Sequence, residues 1–403
     1  MMDKVIRSRS ISESWLFLLL TCTMAPSLAK IFCAIAGRMP VINFAAEYFD
    51  IIVTVIALIF SLPFFNRKLK KEDVLLYLTA LFIYLLQYIF FPENTRYLND
   101  YFVRSMLVAV PMFFIGRIWE VKQYDRFFYV ISLIGIVWMS FYYLYYINNS
   151  KVSTDYDLQE QNMAASYQML FLLCYVTWYS FRHFTIIGML GVLLGVFSIF
   201  SFGTRGPLVC YIFFVSMYIL FFAKTKKAKY KFLFLILFVL ISYLIFLYFE
   251  VIAMFIMSIL DRFGMSTRII DLVLMGGVED ESTMARGDII TTLINKLNHG
   301  NQIAYGLFGS WNYTGNYSHR IYIDFFFNFG YFLGSVIMAF LVFVLWFAYK
   351  SCKNEDERGL WLLLVSVGLI PLFFSSYFLF WGNFYVLYGY CFTLIYKRKN
   401  KKY

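Results

Sequence analysis

Charge is what this sequence has least of: Asp, Glu, Lys and Arg make up 15% of 403 residues, against 61% apolar residues and 22% aromatics. With a mean hydropathy of +0.69, that balance excludes a soluble globular domain. Histidine is scarce too, with only His183, His299 and His319 in the chain. Of the six cysteines, Cys22, Cys33, Cys174, Cys210 and Cys391 lie in or beside apolar runs, and Cys352 lies in a predicted inner loop. They form neither a disulfide framework nor a metal-ligand spacing, so no metal site and no cofactor is expected. No phosphate-cradling glycine loop and no Asp-x-Asp motif occurs on the predicted inner face, which disfavours a cytoplasmic sugar-nucleotide transferase. No internal repeat of the transporter kind is visible. The first hydrophobic run lacks the small-residue cleavage site of a secretory signal and reads as a retained span.

What the chain does contain is apolar runs. A helix needs roughly 20 mainly apolar residues to cross the hydrocarbon core, and about twelve such runs are expected between Trp15 and Tyr396. They centre on Thr23, Val55, Ile83, Ala109, Ile136, Leu172, Leu193, Val215, Phe238, Met338, Val367 and Val386. The expected fold is an all-α integral membrane protein, one polytopic domain over 1–403, with about twelve transmembrane helices. Lys and Arg recur in every second loop, among them Lys4, Arg7, Lys68, Lys70, Lys122, Arg126, Arg182, Lys224, Lys227, Lys350, Lys353, Lys397 and Arg398. Positive charge in short loops marks the cytoplasmic side, so both termini are expected inside. The net charge of +11 then faces anionic membrane lipid, and no nucleic-acid partner is implied.

The opposite face carries one large extracytoplasmic loop, 258–320. Within it, Ile289, Ile290, Leu293, Ile294 and Leu297 recur at helical spacing in the stretch Met284 to Leu297, which predicts an amphipathic helix on the membrane surface or on the bundle mouth. Gly300, Gly306, Gly309 and Gly315 follow, interleaved with Tyr305, Phe308, Trp311, Tyr313 and Tyr317. Such a stretch suits a bulky polar ligand such as a sugar, and equally suits an ordinary packed loop. The loop ends at Ser318-His319-Arg320, directly against the apolar run Ile321 to Tyr349. Histidine is the side chain most readily poised for proton transfer near neutral pH, which singles out His319. Arg104 lies inside a predicted span near its outer end, where it either snorkels or lines a cavity. Asp324 and Asn328 share one helical face just after His319.

Three further patterns accompany His319. Ser201-Phe202-Gly203-Thr204-Arg205-Gly206 links two predicted spans on the outer face, Ala285-Arg286-Gly287-Asp288 opens the amphipathic helix, and Tyr317 to Tyr322 leads through Phe329-Gly330 back into the membrane. Together with Asn162-Met163-Ala164-Ala165, their order over Gln161 to Tyr349 resembles the O-antigen polymerase and O-antigen ligase superfamily, the Wzy-type membrane glycosyltransferases. One position departs from that family: Arg320 stands where an Asn usually follows the histidine.

The resemblance implies a metal-independent transfer from a polyprenyl-pyrophosphate-linked oligosaccharide donor to an acceptor at the outer face of a bacterial cytoplasmic membrane. A departing pyrophosphate gathers negative charge, and guanidinium forks stabilise phosphate oxygens. Arg205 and Arg286 are the expected pyrophosphate ligands, and His319 the base that takes the proton of the incoming hydroxyl. Gly203, Gly206, Asn162, Arg320, Asp324 and Arg104 are the expected cavity-lining residues. Each has a plainer reading: Arg205 as a snorkelling interfacial arginine, Arg286 as a helix-surface charge, His319 as a satisfied interfacial histidine. The preferred function is polymerisation of repeat units into surface polysaccharide (O-antigen, capsule or exopolysaccharide), with a chain-length regulator as a further partner. A ligase with a different acceptor is the alternative within the family. A lipid-linked oligosaccharide flippase is the alternative outside it, and is disfavoured because the spans are nearly free of mid-membrane acids.

Overall fold

The computed structural model describes residues 70–119, 121–149, 156–183, 185–201, 205–222, 281–300 and 302–399, with 254, 255, 258 and 262 singly. The predicted spans centred on Thr23, Val55 and Phe238, the candidate Gly203, and nearly all of the large loop before Glu281 lie outside the described residues. Those described form helices and no strand. In chain order the helices are α1 (Lys71–Phe90), α2 (Thr95–Phe102), α3 (Met112–Ile118), α4 (Val121–Asn149), α5 (Tyr156–Arg182), α6 (Ile186–Ser201), α7 (Arg205–Phe222), α8 (Glu281–His299), α9 (Gly309–Thr314), α10 (Ile321–Ser351), α11 (Glu355–Gly368) and α12 (Gly382–Lys399). Among the described residues three stretches are long and apolar enough to cross a membrane: α1, Pro92–Arg117 and α10. At 1.5 Å per residue α1 rises about 30 Å, the thickness of a hydrocarbon core. Leu75, Leu78, Phe82 and Ile89 of α1, and Phe332, Phe340, Phe343 and Trp346 of α10, are exposed. Apolar faces of that size suit lipid rather than water.

Two compact units result. The first contains α1 to α3 and α8 to α12; the second contains α4 beyond Gln123 together with α5 to α7. In the second, Phe128, Phe171, Tyr175 and Trp178 are fully buried between helices. Polar pairs tie its helices: Ser140 to Ser198 at 2.6 Å joins α4 to α6, and Thr177 to Tyr211 at 3.0 Å joins α5 to α7.

In the first unit, α3 and α12 touch backbone to backbone. A Cβ on Gly116 would strike the Val386 carbonyl and one on Gly389 the Phe113 carbonyl, so this crossing depends on small residues, as helix contacts in membranes commonly do. At one end of this crossing Arg117 forks onto Asp73 at 2.8 and 3.0 Å and donates to Thr393 at 3.0 Å. Lys70 sits over the Tyr396 ring at the same end, and Lys353 and Arg398 donate to the carbonyls of Lys397 and Lys350. Basic residues expected on the inner face therefore gather at one end of the unit. The other end is built from 303–320, the start of α10, and 374–380.

Two predicted elements change shape there. The stretch through Ala109 is not one regular helix: α2 passes into a π-helical segment, Val103–Ala109, and a turn at Pro111 precedes α3. The run Ile321 to Tyr349 is also not one straight span, because α10 breaks at Gly330, where φ is 79° and ψ 164°. Only glycine adopts that conformation readily, and a Cβ there would lie 2.6 Å from the Ile303 carbonyl. The break frees the carbonyls of Phe327 and Asn328, which accept from the Tyr305 and Gly306 amides at 3.0 Å each. Asp324 and Asn328 thus belong to a short leading segment, 321–329, and the remainder of α10 is still long enough to span.

The amphipathic helix forms as expected, slightly longer, over Glu281–His299. Leu293 enters a core with Tyr305, Ile323 and Phe327, and Ile289, Ile290 and Leu297 pack around it. The apolar stripe is thus used against the leading segment of α10, while Ile294 at its edge stays exposed.

Candidate functional site

The segment 305–309 is held by the side chains of Gln87, Asn94 and Tyr377. Asn94 donates to the carbonyls of Tyr305 and Leu307 at 2.8 and 3.0 Å, and the Leu307 amide donates to Gln87 at 2.9 Å. The Phe308 amide meets the Tyr377 hydroxyl at 3.4 Å. Gly306 and Phe308 hold positive φ, 71° and 63°, which bends the chain sharply enough to make these contacts. Buried loop backbone survives only when its polar groups are paired, so this accounting explains how a polar loop can sit at that depth.

Next in sequence comes the His319 turn. His319 has φ 59° and is buried. Its neighbours enforce that conformation: the Ser318 amide donates to Asp324 Oδ1 at 3.2 Å, the Ser318 hydroxyl donates to the Arg320 carbonyl at 2.8 Å, and the Arg320 amide donates back to that hydroxyl at 3.0 Å. The imidazole packs on Tyr317 with ring centroids 4.0 Å apart. Burial pushes its pKa down to about 3, the adjacent Arg286 guanidinium adds to that, and a hydrogen bond at the Ser375 backbone pulls the other way. His319 is therefore neutral at physiological pH. Nδ1 is buried without a partner, so the N–H that meets Ser375 is assigned to Nε2 and the lone pair to Nδ1.

The third component is the loop 374–380 between α11 and α12. Its Phe374 carbonyl accepts from Arg286 at 3.4 Å, its Ser375 carbonyl from the Tyr317 hydroxyl at 2.8 Å, and its Phe380 ring lies 5.1 Å beneath the Arg104 guanidinium. Tyr377 is the hub: its hydroxyl also accepts from Asn328 at 3.1 Å, and its ring meets those of Phe308, Trp311, Tyr317 and Phe380. Tyr101, Trp311, Tyr317 and Phe380 are only half-buried, which leaves part of an aromatic wall beside His319 open. Several buried polar atoms here lack a hydrogen-bond partner among the described residues: His319 Nδ1, Trp311 Nε1, Ser310 Oγ, Asp324 Oδ2 and Asn328 Oδ1. Each such atom costs about 1–3 kcal/mol, a cost tolerated where a function uses it.

Of the residues expected from sequence, Arg286 and Asp324 meet the His319 turn, and Arg104 touches the same loop at Phe380. Arg320 stays exposed and donates to the Tyr322 hydroxyl at 2.9 Å. Arg205 and Gly206 open α7 and Asn162 lies in α5, all within the second unit. Sequence reasoning missed Ser375, Tyr377 and Phe380; the only signal was a Ser-Ser-Tyr step among aromatics between two predicted spans. Comparison with family models, with curated proteins and with solved structures gave no match.

Proposed function

We propose that this protein is a membrane glycosyltransferase that polymerises polyprenyl-pyrophosphate-linked repeat units into surface polysaccharide, at the outer face of a bacterial cytoplasmic membrane. In this reading the chain forms a body of about twelve spans with both termini inside. The observation that carries it is the meeting of His319, Tyr317 and Arg286 on the backbone of Phe374 and Ser375. A neutral imidazole with an assigned lone pair, a guanidinium and open aromatic faces are what glycosyl transfer from an anionic leaving group requires.

The acceptor hydroxyl oxygen attacks the anomeric carbon of the donor sugar, and the bond from that carbon to the pyrophosphate oxygen breaks. Nδ1 of His319 takes the hydroxyl proton, and polyprenyl pyrophosphate departs with the electron pair, its charge held by Arg286. Nδ1 is covered in this state, so a neighbouring side chain must move for a hydroxyl to reach it; Tyr317, half-exposed and packed on the ring, is one such neighbour. An anion beside Arg286 cancels the repulsion that helps hold His319 down, so donor binding raises its basicity. The half-open rings of Trp311 and Phe380 offer stacking faces for sugar.

The test is turnover by the purified protein with a polyprenyl-pyrophosphate repeat unit as sole substrate. A ladder of longer glycans is expected. Transfer only after a different acceptor is added identifies a ligase instead, and movement across a bilayer without bond formation identifies a flippase.

A further inference from the structure

Two guanidinium groups are seated on the ends of one short loop. Arg286 donates to the Phe374 carbonyl at 3.4 Å, and Arg104 lies 5.1 Å over the Phe380 ring. Between them, Ser375 and Tyr377 carry the contacts of His319, Tyr317 and Asn328. Among the described residues the ion pairs are Arg96 with Asp100 and Arg117 with Asp73, so neither Arg104 nor Arg286 has a carboxylate partner. Arg104 is exposed on the side of an apolar stretch, where a cation is held by water, a headgroup or an anionic ligand. Arg104 also stands in the π-helical segment Val103–Ala109, a distortion frequent at functional sites. Trp311, which packs on both Tyr101 and Phe380, holds a buried Nε1–H with no acceptor among the described residues.

We propose that Arg104 is the second cation for the donor pyrophosphate, gripping it with Arg286 from opposite ends of the 374–380 loop, with Trp311 Nε1 as a neutral donor. This rests on the transferase reading and extends it to a residue of the first unit. A pyrophosphate diester carries two negative charges, which two guanidinium groups match, and its oxygens accept bidentate hydrogen bonds. A phosphatidylglycerol headgroup offers the same phosphate chemistry with a single charge. Arg104 lies over Phe380 in a cation–π contact, which does not itself use its N–H donors.

Binding is measured apart from turnover, by thermal unfolding of the full chain in detergent during titration with inorganic pyrophosphate. A saturable rise in Tm is expected, with apparent affinity at least tenfold weaker in Arg104→Ala and in Arg286→Ala. Arg104→Lys, which keeps the charge and supplies a second folded variant, should fall between. Arg96→Ala, on an exposed residue paired with Asp100, should bind as the parent does. Equal weakening in Arg96→Ala reduces the effect to surface charge and overturns the proposal. So does an Arg104-dependent response to phosphatidylglycerol nanodiscs in place of pyrophosphate, which would assign the residue to a lipid headgroup. Chain extension that survives Arg104→Ala but not Arg286→Ala overturns it while leaving the transferase intact. Arg104-dependent pyrophosphate binding without any chain extension keeps the anion site and ends the transferase reading.

Discussion

Tyr317 packs on His319 with ring centroids 4.0 Å apart and planes tilted by 42°, and both side chains reach the backbone of Ser375. That relationship joins two parts of the chain: the end of the polar loop, just before α10, and the loop before α12. It also fixes the tautomer, since an imidazole that donates from Nε2 presents its lone pair at Nδ1. The same burial that orders the ring weakens it as a base, so substrate binding has to do part of the activation.

His319→Asn is the sharpest test of that base. Asn tolerates the left-handed conformation at φ 59°, so the turn should survive, whereas Ala would add backbone strain. Because an amide cannot take the proton, turnover should fall by about 10²–10⁴-fold with donor binding retained. His299→Ala, at the exposed end of α8, should stay active. Equal losses in both, at matched membrane levels, would reduce His319 to a folding role.

A pH series separates the free and donor-bound enzyme. The base form is active, so activity is present above its pKa and lost as pH falls through it. With the free-state pKa held at about 3 rather than 6.5, kcat/KM should show no acid limb near pH 6.5. The kcat profile reports the bound state, where the anion on Arg286 raises the pKa, so its acid limb should lie higher. An ordinary limb near pH 6.5 in kcat/KM would contradict the buried environment.

Gly330→Ala and Gly287→Ala should act in opposite directions. At Gly330 the backbone excludes a side chain by conformation, at about 1–3 kcal/mol, and the Cβ overlaps the Ile303 carbonyl as well. Gly287 lies in α8 with nothing within 4 Å of its Cβ, so Ala there should gain about 0.5–1 kcal/mol. Thermal unfolding in detergent reads both; a neutral Gly330→Ala would mean that α10 is continuous.

How much of this was visible in the sequence depends on range. The stripe Ile289, Leu293, Leu297 is a local signal, and α8 follows from it with its apolar face turned inward. His319 stood out because it closes the one long polar stretch in a chain poor in histidine. The break at Gly330 was marked only as an aromatic-Gly step, because an apolar run has no period to interrupt and the amides that satisfy it, Tyr305 and Gly306, lie far upstream. Loop 374–380 escaped for a related reason: it is uncharged and aromatic, which reads as an interfacial belt, and its role is set by partners on α8, the His319 turn and the π-helical segment. Arg205 was grouped with Arg286 by motif order, a shared predicted outer face and flanking glycines; Arg205 and Asn162 belong to the second unit, Arg286 to the first.

Sidedness is tested by chemistry in intact cells. Cysteine at position 312 should react with an impermeant thiol reagent, as should cysteine at 151, while cysteines at 227 and 399 should be protected until the membrane is opened. Labelling at 227 but not at 312 would put the His319 site on the cytoplasmic face and remove the polymerase reading.

The buried pair at the opposite end gives a prediction about stability alone. Asp73 and Arg117 are each 4% exposed in their side chains, the fork closes at 2.8 and 3.0 Å, and Thr393 takes a further Arg117 donor. Removing one partner leaves the other charge buried and unpaired, which costs about 3–5 kcal/mol. Asp73→Asn should therefore lower Tm sharply, since the amide keeps the volume but not the charge. Replacing both residues, as Asp73→Leu with Arg117→Met, removes the stranded charge and should recover much of the loss, because the desolvation cost of the pair disappears with it. Additive losses in the double variant would show instead that α1, α3 and α12 need this ion pair itself to dock.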